Sequence, residues 1–309
     1  MEDRSEPTVI QCAMWEAFIS NVRPSRFTAS RIFRGHGNAD WRLASQWERW
    51  LDDKRPGRDP NRSPHEVFAP GAEMTIRDAA LVRFKALALG LPGIRSKDLD
   101  EDEWWALGRH HGLRTPLLDW TRSPFVAAYF AFMEYVERRN PGFQSGQDRP
   151  SGVSLSANDA VVVWELALLD GVQKAGEFEC VTAQADVADR QRAQQGLFTR
   201  LNHEIHLDVG AYLRSRQLGH ALRRYELPGS EAGNAIHDLF LMNVSPLSLF
   251  PGLDGAAKIG KSPRAGHGLG HRCIDSARAL SPARVSSTAR SRAVSSQHDA
   301  EGAFHEGHD

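Results

Sequence analysis

Apolar positions at helical spacing over 9–22, including Val9, Cys12, Ala13, Ala17 and Ile19, predict an amphipathic first helix. Residues 31–35, Arg-Ile-Phe-Arg-Gly, read as a short strand, and 41–51 continues extended or turns into a helix. A Pro-, Arg- and Asp-rich run over 52–70 predicts a loop. Helices are predicted over 73–91, closed by Gly90 and Pro92, and over 102–109, stopped by Gly112. The clearest helix follows Ser123, which can cap it, and Pro124, which fits its first position; Val126, Ala127 and Phe130 keep one side apolar. After a polar loop at 143–159, the short β-branched run 160–168 predicts a buried strand. A helix or loop from 186 leads into a strand at 197–199, a helix at 209 runs on into a strand, and 232–255 reads as a helix with a short connector.

From about Ser262 the pattern stops. Ser, Ala, Arg, Gly and His dominate without apolar periodicity, so 262–309 is expected to be a disordered tail and 1–261 the folded domain.

Composition narrows the classes. With 309 residues and 41% apolar content, the chain can bury a sizeable core. Thirty-eight basic against 39 acidic residues give a net charge of -1, which supplies no general field for nucleic acid or an anionic membrane. Cys12, Cys180 and Cys273 lie far apart, and no apolar run reaches the length of a membrane span. A cytoplasmic protein is expected, without metal or membrane partner.

Three stretches carry candidate chemistry. In "FRGHGNADW", Arg34 places a permanent cation at the end of an apolar strand, where Gly35 and Gly37 let a ligand approach main-chain amides. Its guanidinium suits phosphate or carboxylate; alone, it also reads as half of an internal ion pair. In "GRHHGLRTPLLDWTRSPF", the hydroxyls of Thr121 and Ser123 at a helix start make an anion-friendly corner. The plainer reading there is a capped helix, Trp120 in the core and Asp119 bonded to a backbone amide or an arginine. His110, His111 and Asp119 lack metal-ligand spacing. In "DRQRAQQGLFTRL", Gln194 and Gln195 enter a strand, where an amide can reach a ligand hydroxyl or simply lie on a helix surface.

Taken together, "FRG", "HHGLRTPLLDWTRSPFVAAYFA", "RAQQGLFT" and "LFPGLDGAA" resemble the FRG domain family, in order and spacing, over Ile32 to Ala257. His110 takes the family's His place, and His111 stands where the family usually has Tyr. The domain core is expected at about 28–257.

A weaker resemblance is to NAD-dependent ADP-ribosyltransferases. It implies an α+β fold, a mixed split β-sheet with flanking helices, with NAD as ligand and a macromolecular acceptor. Arg34 would hold NAD phosphate or ribose beside Gly35, Thr121 or Ser123 would shape the nicotinamide pocket, and Gln194, with Gln195 next, would stand where those enzymes usually carry Glu. Gln lacks the negative charge that steadies an oxocarbenium-like transition state. Asp119, Glu165 or Glu204 would then have to serve, with His110 in the same site. The resemblance therefore leaves two readings, a transferase and a nucleotide- or phosphate-binding module without turnover. A nuclease or nucleic-acid binder, from the His pair and basic tail, is a third. The transferase reading requires Arg34, His110, Thr121 and Gln194 to converge in one cleft.

Overall fold

The computed structural model describes residues 5–23, 30–53, 72–89, 91, 99–139, 159–181, 188–202 and 207–261. The expected loops at 52–70 and 143–159 lie almost wholly outside these residues, as do Gly90, Pro92, Glu204 and the tail from 262. Among the described residues the fold is α+β, built on a mixed seven-stranded sheet with the order β1-β7-β4-β2-β3-β6-β5. The strands are β1 (Thr8–Gln11), β2 (Arg31–His36), β3 (Leu118–Thr121), β4 (Ala160–Ala167), β5 (Phe178–Val181), β6 (Gly196–Leu201) and β7 (Leu222–Pro228). Only β1 and β7 run parallel; the other neighbours are antiparallel.

The expected first helix is corrected. Val9 and Ile10 lie in β1, paired with Arg224 and Tyr225, and helix α1 (Trp15–Asn21) begins only afterwards. Their β-branched side chains suit an edge strand, and the Trp15 amide bonds to the Glu231 carboxylate where the helix begins. The strand at 178–181 carried no periodicity strong enough to predict it. At two helix ends the pattern and the fold agree: α4 (Glu101–His110) ends before Gly112, whose φ is +87°, and α5 (Pro124–Arg139) starts where Ser123 Oγ accepts the Val126 amide at 3.3 Å.

Burial follows strand alternation. Phe33 packs with Trp15, Phe18, Phe132 and Tyr225 on the face covered by α5. Ile32 packs with Trp120, Trp164, Leu166 and Tyr212 on the opposite face. α4 covers β3, β6 and β5 through Trp104, Trp105 and Leu107 against Phe198 and Val181.

One junction differs from the rest. β2 registers with β4 over six residue pairs and β3 with β6 over four, but β2 meets β3 at a single pair, Phe33 with Thr121. Beyond it the two strands part. The sheet thus divides into a four-stranded and a three-stranded half, and Arg34 is the first residue past the division.

Candidate functional site

Strand period two sorts the stretch Arg34-Gly35-His36-Gly37 into two sets. Gly35 and Gly37 turn toward α5. A Cβ on Gly35 would stand 1.9 Å from the Ala127 carbonyl oxygen, and one on Gly37 would stand 2.6 Å from the Tyr135 nitrogen. Both glycines therefore serve helix packing; their missing side chains admit α5, not a ligand. Gly37 is also held from both sides, its amide donating to Glu134 at 3.0 Å and its carbonyl accepting from Arg138 at 2.7 Å.

Arg34 and His36 turn the other way, onto the face of their cross-strand partners Trp164 and Val162. Arg34 Nε donates to His36 Nε2 at 2.9 Å, and Nη1 donates to the Asp119 carbonyl at 2.7 Å and its carboxylate at 3.4 Å. The guanidinium thus bridges the opening between β2 and β3. From α4, Arg109 Nε donates to Asp119 Oδ1 at 2.6 Å and Nη2 to Oδ2. The plainer readings of Arg34 and Asp119 both hold: they are ion-paired, and Asp119 is shared by two arginines.

The charges do not balance. Burial alone would push the Asp119 carboxyl up, but Arg109 and then Arg34 outweigh it and hold it below the ordinary value. Burial lowers the proton affinity of Arg34, with Asp119 opposing and Arg49 and Arg109 adding to the effect. Burial, then Arg34 and Arg49, keep His36 well below the usual histidine range, so its ring is neutral at neutral pH. Because Nε2 accepts from Arg34, the ring proton sits on Nδ1. Arg109 Nη1 and Trp164 Nε1 are buried without a hydrogen-bond partner among the described residues, and the His36 ring lies against the Trp41 backbone without a well-formed bond at Nδ1. Arg49, on α2 (Gln46–Asp53), is exposed; among the described residues its Nη1 bonds to the Ala44 carbonyl, at 3.3 Å. The opening therefore collects guanidinium and N–H donors around Asp119, while Glu134, which also acts on Arg34, is held by the Gly37 amide; that excess of donors suits an anion rich in acceptor oxygens.

The remaining expected site residues lie elsewhere. Thr121 shares the α5 face with Phe33, and its hydroxyl donates to the Gln194 carbonyl at 2.7 Å and accepts the Ser123 amide at 3.1 Å. Ser123 Oγ caps α5. The Gln194 amide donates to the Leu249 carbonyl at 3.1 Å, against the α5-side core. Gln195 is exposed in a left-handed turn with φ of 48°. His110 closes α4, exposed, with its ring edge-on to His111 at 5.0 Å. The expected single cleft is corrected: Arg34 points to one face, while Thr121 and Gln194 meet on the other. Glu165, a substitute carboxylate, lies on the α5 face and is held by Arg31, Arg223 and Tyr225.

Beside the opening, α2 starts with a reciprocal cap in which Ser45 Oγ accepts the Glu48 amide and Glu48 accepts the Ser45 amide at 2.6 Å. Burial pushes the Glu48 carboxyl up to about 7, helped by Asp208 and opposed by Ser45 and Arg42. A raised carboxyl favours the fold fully below its unfolded value, and that contribution is lost as pH climbs toward 7. Stability should fall by about 2 kcal/mol between pH 5 and pH 8 in the native chain, with solvent screening at this half-buried group included. Urea unfolding at the two pH values should show the fall largely removed in Glu48→Gln; an equal fall in both proteins would assign it to other groups.

The FRG domain model matches residues 29–140, which run through β2 to the last turn of α5 and include Arg34, His36, Arg49, Arg109 and Asp119. The "RAQQGLFT" and "LFPGLDGAA" stretches lie beyond the matched range. No curated protein and no solved structure matches the chain. The arginine and glycine of "FRG", which face opposite sides of one strand, both fall within the matched range, and the chain carries an FRG domain over residues 29–140.

Proposed function

We propose that this FRG domain binds a phosphate-bearing nucleotide, NAD or ADP-ribose among them, at the opening between β2 and β3, without turning it over. The observation that carries this reading is the charge at that opening: Arg34, Arg49 and Arg109 against Asp119, with His36 neutral. Arg34 Nη2 makes no hydrogen bond to the described residues, and Arg49 stands exposed, so one buried and one outer guanidinium can meet a phosphate. Transfer of ADP-ribose to a macromolecular acceptor is less well supported. The Gln194 amide is engaged with Leu249, Asp119 is neutralised by two arginines, and Glu165 faces away.

Equilibrium dialysis with labelled NAD and ADP-ribose tests the reading. The native chain should bind in the micromolar range, and Arg49→Ala, an exposed change, should weaken binding by about tenfold through loss of one charge-assisted contact. Added salt should weaken both. Absence of binding at millimolar ligand would reject the reading. Nicotinamide release by the native chain, lost in Arg34→Ala, would put transfer in its place.

A further inference from the structure

We infer that the ligand of this opening is a phosphate ester with a hydroxyl close to its phosphate, a phosphorylated sugar, and that Asp119 is the residue that reads the hydroxyl. The inference rests on the binding reading above and adds the class of ligand.

Arg34 Nη2, Arg49, Arg109 Nη1 and the N–H of His36 are donors around Asp119; Glu134, the other carboxylate that acts on Arg34, is held by the Gly37 amide on the α5 side. Asp119 is the acceptor among these donors. Among the described side chains its Oδ2 receives two hydrogen bonds, from Arg109 and Arg34, the latter long at 3.4 Å, and Oδ1 receives one, from Arg109 Nε, with the residue's own backbone amide also acting on the carboxylate. An ionised carboxylate offers about four lone-pair sites, so acceptor capacity remains on Oδ1.

Exposure decides which way that capacity faces. The Asp119 side chain is 42% exposed, whereas Arg34 and Arg109 are 13% and 15% exposed. The carboxylate is therefore the outermost member of the bridge. Both arginines hold it ionised, so it can accept a proton donor but cannot offer one.

A bare anion approaching the guanidiniums meets this negative charge at close range. A ligand that carries a hydroxyl next to its phosphate meets it differently. The hydroxyl donates to Asp119 while the phosphate lies on Arg34 and Arg49, so the carboxylate that repels one ligand orients the other. Selection then comes from repulsion of the wrong ligand as much as from attraction of the right one.

Titration of the native chain and Asp119→Asn with ribose 5-phosphate and with methyl phosphate, which has no alcohol hydroxyl, at a pH where both are dianions, tests this. The native chain should prefer ribose 5-phosphate by about tenfold, the weight of one charge-assisted hydrogen bond. In Asp119→Asn the methyl phosphate affinity should rise and the ribose 5-phosphate affinity should not, so the preference collapses. Equal affinity of the native chain for both ligands, or an equal rise for both in the variant, would overturn the inference and leave phosphate binding standing. Failure of the native chain to bind either would overturn both. If the variant does not fold, the native preference alone decides, because it needs no substitution.

Discussion

Gly35→Ala should lower the stability of this protein by about 3 kcal/mol, the upper end for overpacking a close-packed interior. The added methyl would stand 1.9 Å from the Ala127 oxygen, 2.8 Å from the Ala131 nitrogen and 2.9 Å from the Ala127 carbonyl carbon. All three are backbone atoms of α5, so no side-chain rotation relieves the clash. β2 or α5 must shift, and α5 is anchored through Val126, Phe132 and Tyr135 in the main core. Urea unfolding at neutral pH reads the loss directly. An unfolding midpoint like that of the native chain would show that helix and strand separate more easily than their packing indicates. The effect would appear without any ligand, since Gly35 faces away from the opening.

Arg34→Ala should act on both counts. It removes the donor to His36 Nε2 and the donor to the Asp119 carbonyl, leaving two partly buried acceptors unmet, while Asp119 keeps Arg109. A stability loss of about 3 kcal/mol is expected from unmet buried acceptors and a broken ion pair. Nucleotide binding should fall by about a hundredfold, since the innermost guanidinium is gone. Arg34→Lys separates shape from charge. An ammonium cannot reach His36, the Asp119 carbonyl and the carboxylate in one planar grip, so it should restore less than half of the binding. Full restoration by lysine would mean that charge alone matters at this position. Thermal melts beside dialysis distinguish lost binding from lost fold.

Much of this architecture was legible in the sequence because it rests on local signals. Ser123-Pro124 announces the start of α5 by capping chemistry, and Ala160–Ala167 announces a central strand by its run of β-branched residues. Val9 and Ile10 misled because an apolar pair followed by Cys12 and Ala13 fits a helical period, while the strand that claims them, β7, lies more than two hundred residues away. No local pattern carries that pairing.

The site was legible in part. Arg34 and Asp119 stood out as residues, and their ion pair was among the readings open to each. Arg109 and Arg49 did not, because each is one basic residue on a helix and only tertiary packing brings it to the opening. His36 had a signal that could have been used: it lies two residues after Arg34, and on a strand that spacing means the same face. The same rule separates Gly35 from the side of Arg34 and His36. Gln194 misled for the opposite reason, since a place just before β6 says nothing about where its amide points.

The lone Phe33–Thr121 pairing has a mechanical side. A sheet with many rungs between neighbours is stiff; one rung makes a compliant line between two rigid plates. Arg34 and Asp119 are rooted on opposite plates and gripped together just past that line. The grip therefore ties the two halves of the sheet together where backbone pairing does not, beside the α5 packing that also spans them.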